Sequence, residues 1–193
     1  MLRIMFVIAS VMAGATPAVA HVGAGSTASF AAGVAHPLSG LDHVAVMVAV
    51  GLWAALKGNR ALWIWPATFV GVMLAGGALG MAHVPVPFVE PAILASVVAL
   101  GLLVALAVDV PAWAGALVIG AFALFHGHAH GSEVAENIAG VEYMAGFAAA
   151  TALLHATGIG FALLMSRVHA RGMVRVAGLA CVQLGLGLWA EVI

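Results

Sequence analysis

Charge is nearly missing from this chain. Only 7% of its 193 residues are Asp, Glu, Lys or Arg, against about 25% in a soluble domain, so it cannot cover itself with polar surface. With a mean hydropathy of +1.19, it reads as an integral membrane protein. Six basic and seven acidic residues leave a formal net charge of −1, which provides no basic patch to neutralise phosphates and excludes nucleic acid as a partner. Cysteine occurs once, as Cys181 in an apolar run, so neither an intrachain disulfide nor a thiolate metal cluster is possible. No Gly-rich loop ends in Lys-Ser or Lys-Thr, which excludes ATP hydrolysis by a Walker-type site. What remains is hydrocarbon, glycine and histidine: 24 glycines, and nine histidines that outnumber the six Lys plus Arg.

The first twenty residues read as a secretory signal. Arg3 supplies the positive start, residues 4–13 the apolar core, and Ala18-Val19-Ala20 a small-x-small cleavage site. An uncleaved signal anchor is the alternative. Cleavage leaves His21 at the new N-terminus, where its amine and imidazole together form a candidate metal chelate. Six apolar stretches follow, at about 37–56, 61–82, 88–108, 111–130, 140–165 and 172–192, each near the ~20 residues that cross a bilayer. The expected fold is therefore all-α, a six-helix transmembrane bundle over 21–193 preceded by a signal sequence. The fifth stretch contains Gly158-Ile159-Gly160, where a kink is expected. Gly76 and Gly80 form a small-x3-small pair that reads as helix packing. Lys57 and Arg60 in the first loop, and Arg167, Arg171 and Arg175 near the fifth, fall on one side of a six-helix chain. That side is cytoplasmic by the positive-inside rule, with the mature N- and C-termini outside. Trp53, Trp63, Trp65 and Trp113 are expected near the inner interface and Trp189 near the outer one.

This topology brings the costly residues to one face. An Asp at mid-bilayer costs on the order of 2.5–3.5 kcal/mol on insertion scales, and such residues are read as functional by default. His36, Asp42 and His43 open the first helix, His83 ends the second, and Glu90 starts the third. His126, His128 and His130 end the fourth, followed by Glu133, Glu136 and Glu142. Residues seven apart share a helical face, which pairs His36 with His43 and His126 with Glu133, while His130 lies between the latter two. His128 points the other way. Pro37 suits a first helical position, with His36 near the cap, and Gly127 and Gly131 threaten an early helix end. Imidazole with carboxylate, and no thiolate, suits borderline divalent cations such as Ni, Co or Zn. Glu90 precedes Pro91 and doubles as a helix cap. His83 reads as interfacial, Glu136 and Glu142 as a solvated funnel for cations, His169 as a loop residue and His155 as a satisfied bundle histidine or a second transit site.

Two stretches carry a family resemblance. His36-Pro37-Leu38-Ser39-Gly40-Leu41-Asp42-His43 resembles the H-x5-D-H signature of the HupE/UreJ nickel permeases, and Phe125-His126-Gly127-His128-Ala129-His130-Gly131-Ser132-Glu133 resembles that family's F-H-G-x-A/V-H-G-x-E signature. The resemblance implies a secondary permease of the bacterial inner membrane that takes up Ni2+, or Co2+, for hydrogenase or urease assembly. It implies His36, Asp42, His43, His126, His130 and Glu133 as the metal site; the residues themselves, apart from the resemblance, add Glu90, His21, His83 and His128 as weaker candidates. It also implies the ion as cargo, no permanently bound cofactor, and nickel-sequestering proteins on the cytoplasmic side. Spacing alone says only divalent metal.

Three other classes compete. Paired histidines on transmembrane helices can ligate haem, but adjoining carboxylates are costly beside an apolar macrocycle. Ser39-Gly40 with a histidine base suggests an intramembrane serine protease, yet no other protease motif accompanies it. A non-transporting metal sensor lacks any domain to report to. The chain does not read as an enzyme.

Overall fold

The structure, a computed structural model, describes residues 29–134 and 138–192. The expected signal segment, His21 and Glu136 lie outside them. Among the described residues there are seven helices and no strand: α1 Phe30–Ser39, α2 Leu41–Lys57, α3 Ala61–Met81, α4 Val89–Ala105, α5 Ala112–Gly131, α6 Ile138–Arg167 and α7 Gly172–Val192.

Four of these, α3, α5, α6 and α7, are long and apolar enough to cross a bilayer, which makes this a multi-pass membrane protein. The expected first helix is not continuous. It is broken at Gly40 into α1 and α2, which meet at 89° and count together as a fifth span if the bent pair crosses as one. Pro37 sits inside α1 rather than at a helix start, and Ser29 is the N-cap, accepting from the Ala32 N–H at 3.1 Å. The break has a local cause. Ser39 Oγ donates to the His36 carbonyl at 2.6 Å and closes α1, and Gly40 adopts an extended conformation (φ −101°, ψ 120°). That hydrogen bond commits the hydroxyl which a serine protease reading requires. The apolar helix α4 is also shorter than the expected 88–108. Left-handed backbone at Phe88 (φ 61°) and Ala107 (φ 50°) brackets it, leaving 17 residues and a rise of about 26 Å.

At the centre is α2. It packs against α1, α3, α4, α6 and α7, and Val46, Met47, Ala49, Val50 and Ala54 are fully buried. A helix apolar all round belongs inside a bundle. The long α6 backs both α1 and α2, α5 lies against α3, and α7 against α4. No break interrupts α6 at Gly158-Ile159-Gly160. Gly158 instead lets α6 approach α2, since a Cβ there lies 2.2 Å from the Val48 carbonyl oxygen. The outer surface carries exposed Leu117, Leu153 and Leu164, as lipid contact requires.

The end of the bundle away from His43 is closed by indoles. Trp53 and Trp65 stack with centroids 4.3 Å apart, and their Nε1–H groups donate to the Val108 and Ala112 carbonyls, both at 2.8 Å. Both are buried, so neither is the interfacial anchor expected of it. Trp63 and Trp113, 64% and 68% exposed, are placed for that role. Lys57 pairs with Asp109 at the same end, and Arg175 Nε donates to the Ala105 carbonyl at 2.7 Å.

Candidate metal centre

The second motif owes its orientation to its glycines. Gly127 lies inside α5 and Gly131 is its last residue, so neither ends the helix early. They form the seam with α3: a Cβ at Gly127 lies 1.9 Å from the Met73 carbonyl oxygen, and one at Gly131 lies 2.1 Å from that of Gly77. From the other helix, Gly76 and Gly80 approach the Leu124 and His128 carbonyls in the same way. With the glycine edge locked onto α3, His126 and His130, one residue earlier in each case, turn about 100° away and face α2. Both are buried.

There they meet the first motif. His36 and His43 lie on different helices rather than on one face, yet the right-angled break folds α1 back so that their ring centroids are 6.4 Å apart. His130 lies 4.6 Å from His36 and 4.5 Å from His43, and His126 lies 5.2 Å from His43. His43 Nε2 and His130 Nε2 are in direct hydrogen-bonding contact. One ligand atom each from His36, His130 and Glu133 lies within 4.8 Å of the others, a spacing suited to a metal ion. Phe147 packs against His36, His43 and His130.

Hydrogen bonds assign the tautomers. Asp42 Oδ1 accepts from His43 Nδ1–H at 2.8 Å, so the lone pair of neutral His43 is on Nε2. His130 then donates through Nε2–H, leaving a lone pair on its Nδ1, 3.9 Å from Glu133 Oε2. Ser96 Oγ donates to the Ile93 carbonyl at 2.5 Å. Its oxygen therefore accepts from His126 Nε2–H, at 3.0 Å, and the His126 lone pair falls on Nδ1. His126 Nδ1 and His130 Nδ1 are buried without a hydrogen-bond partner. His36, His130 and Glu133 are the cluster of possible ligands, and Lys57, Arg60, Arg167, Arg171 and Arg175 lie on the elements at the opposite end. Such a site attracts a cation.

Asp42 therefore holds His43 rather than standing alone as a ligand, an arrangement common behind metal-binding histidines. Gly40 makes room for that pair, since a Cβ there lies 2.7 Å from Asp42 Oδ1. His128 turns aside, as its place on the helix predicts, and Nε2–H donates to the Val84 carbonyl at 2.7 Å. His83, Glu90 and Glu142 are exposed. His155 is buried with neither ring nitrogen partnered, so it is not the satisfied bundle histidine. Ser96, from α4, was not legible in advance: a lone serine in an apolar run carries no signal.

Comparison with known proteins gives one family over most of the chain. The family model described as HupE / UreJ protein matches residues 9–188. "Protein HupE" of Rhizobium leguminosarum bv. viciae is 47% identical over 175 residues, covering 90% of this chain and 92% of that relative. No solved structure matches the chain.

Proposed function

The chain belongs to the HupE/UreJ family, and we propose on that footing that it is a secondary permease importing Ni2+, or Co2+, for hydrogenase or urease assembly. The family is one of membrane proteins associated with nickel and cobalt uptake. Six crossings follow if the α1–α2 pair and α4 each count as one beside the four long helices. The basic residues then put the α2–α3 and α6–α7 loops in the cytoplasm. The histidine end opens outward in the inner membrane, and cytoplasmic nickel-sequestering proteins receive the ion.

The observation that carries this reading is the convergence of His36, His130 and Glu133 ligand atoms from α1, α5 and the turn after it. His43 lies in contact with His130, and His126 lies beside His43. Neutral imidazoles with a carboxylate suit a borderline divalent ion better than Ca2+ or Mg2+, which seek all-oxygen shells. Capture must also be weak enough to release, and a site built from two motifs on opposed helices loosens when they separate. Uptake of radiolabelled nickel by cells expressing the protein tests this, with His43→Ala and His130→Ala beside the wild type. Both variants are expected to lose uptake at equal membrane abundance; undiminished uptake in both would remove the site assignment.

A further inference from the structure

Below the ring cluster, on the far side of Phe69, a second imidazole is buried with nothing to bond. His155 on α6 is 1% exposed, and neither Nδ1 nor Nε2 has a hydrogen-bond partner. The Phe69 ring lies 5.8 Å from His126 and 5.1 Å from His155, between the outer cluster and this residue. One turn before His155 on the same face of α6 is Thr151, whose Oγ1 reaches Met73 Sδ at 3.7 Å. Met73 itself is one turn beyond Phe69 on α3. Thr151 and Met73 are fully buried as well. The depth follows from the backbone. Gly51 of α2 packs against the His155 carbonyl, and Gly51 is eight residues past His43, about 12 Å further along the helix.

We propose that His155, with the Met73 thioether and the Thr151 hydroxyl, is a second, deeper metal-binding station. An imidazole with both nitrogens unmet inside an apolar bundle is costly, and an apolar side chain of similar size avoids that cost. A cation arriving at the ring restores what burial removes. The donor set differs from the outer one in a useful way. It contains no carboxylate, so Ca2+ and Mg2+, which require several oxygen ligands, find no shell here, whereas the imidazole suits Ni2+ and the thioether adds a softer donor beside it. The outer cluster collects divalent cations electrostatically, and the inner station passes only those that tolerate a nitrogen–sulfur shell. Its role in passage rests on the permease reading; its ability to bind metal does not.

Equilibrium dialysis of Ni2+ against the purified full-length protein in detergent, combined with nickel uptake in cells, tests the station. Wild type is expected to hold a second, weaker equivalent of Ni2+ that is lost in His155→Phe and retained when His43→Ala and His130→Ala are combined. Met73→Leu, which keeps volume and removes only the sulfur, weakens that equivalent about tenfold or more. His155→Phe keeps the outer equivalent and lowers initial uptake about tenfold; His155→Leu repeats the measurement should the larger ring disturb packing. A His155-dependent equivalent in a wild type that moves no nickel upholds the station and overturns the permease reading. Unchanged binding and unchanged uptake in both His155 variants, with an active wild type, overturn the station alone.

Discussion

Asp42 Oδ1 accepts a 2.8 Å hydrogen bond from His43 Nδ1, and that bond decides which nitrogen of His43 faces the cluster. Removing the carboxylate charge while keeping the shape isolates its effect. In Asp42→Asn the amide can present NH2 where an acceptor is needed, so the imidazole loses its fixed tautomer and some basicity. Nickel affinity of the purified protein is expected to fall about ten- to a hundredfold. His43→Ala is expected to abolish binding at the cluster outright, and the contrast between the two is read by equilibrium dialysis.

His128 and His130 stand two residues apart in one signature and predict opposite outcomes. His128 Nε2–H is committed to the Val84 carbonyl, tying α5 to the turn after α3. His128→Leu is expected to leave nickel binding unchanged and to cost about 0.5–1.5 kcal/mol in stability, the worth of an ordinary hydrogen bond. Thermal unfolding followed by tryptophan fluorescence, beside a nickel titration, checks both halves.

Gly127 predicts a defect of assembly rather than of chemistry. A Cβ there lies 1.9 Å from the Met73 carbonyl oxygen, a backbone atom that cannot rotate away. Gly127→Ala is expected to push α5 off α3, to destabilise the protein by about 1–3 kcal/mol, and to weaken nickel binding because His126 and His130 move with the helix. Gly120→Ala on the same helix meets only side-chain methyl groups, the nearest at 3.4 Å, and is expected to leave both measurements close to wild type.

The closed end of the bundle separates a buried contact from an exposed one. Trp53 is buried and donates to the Val108 carbonyl, so Trp53→Phe leaves that carbonyl unpaired and is expected to cost about 1–3 kcal/mol. Lys57 and Asp109 form an ion pair in which Asp109 is 78% exposed. Asp109→Asn is therefore expected to cost under about 1 kcal/mol. Unfolding midpoints of the two variants give the ranking.

Acid should weaken metal binding. Protons and the metal compete for the same imidazole lone pairs, since the neutral ring is the binding form. Lowering the pH from about 7.5 to 5.5 raises the proton concentration about a hundredfold. Nickel affinity is expected to fall across that interval, and more steeply than first order in protons if two or more rings bind together. A pH series of equilibrium binding measures the slope.

Much of this site was legible before any coordinate, and for identifiable reasons. His36, Asp42, His43, His126, His130 and Glu133 are expensive in an apolar chain, so their positions stand out, and the two signatures name them. What was not legible depended on the third dimension. Pro37 fits a helix start as well as a helix interior, so the break at Gly40 and the right angle between α1 and α2 left no unambiguous mark. Gly127 and Gly131 read as helix breakers because local propensity says so, whereas contact with α3 keeps them helical. Trp53 and Trp65 match the pattern of interfacial anchors equally well, and only the Val108 and Ala112 carbonyls opposite them explain their burial. Ser96 has no pattern at all.

The contact between His43 and His130 joins residues 87 apart in the chain. At 5–20 residues per second, making that intervening stretch takes roughly 4–17 s. For that interval the ribosome has delivered α2 while the helix that answers it is still unmade. Asp42 and His43 must then satisfy one another through their own hydrogen bond, within a segment that Gly40 already bends. Completion of the site is thus a late event in biogenesis, and a chain released before α5 is synthesised carries half a metal site and no way to finish it.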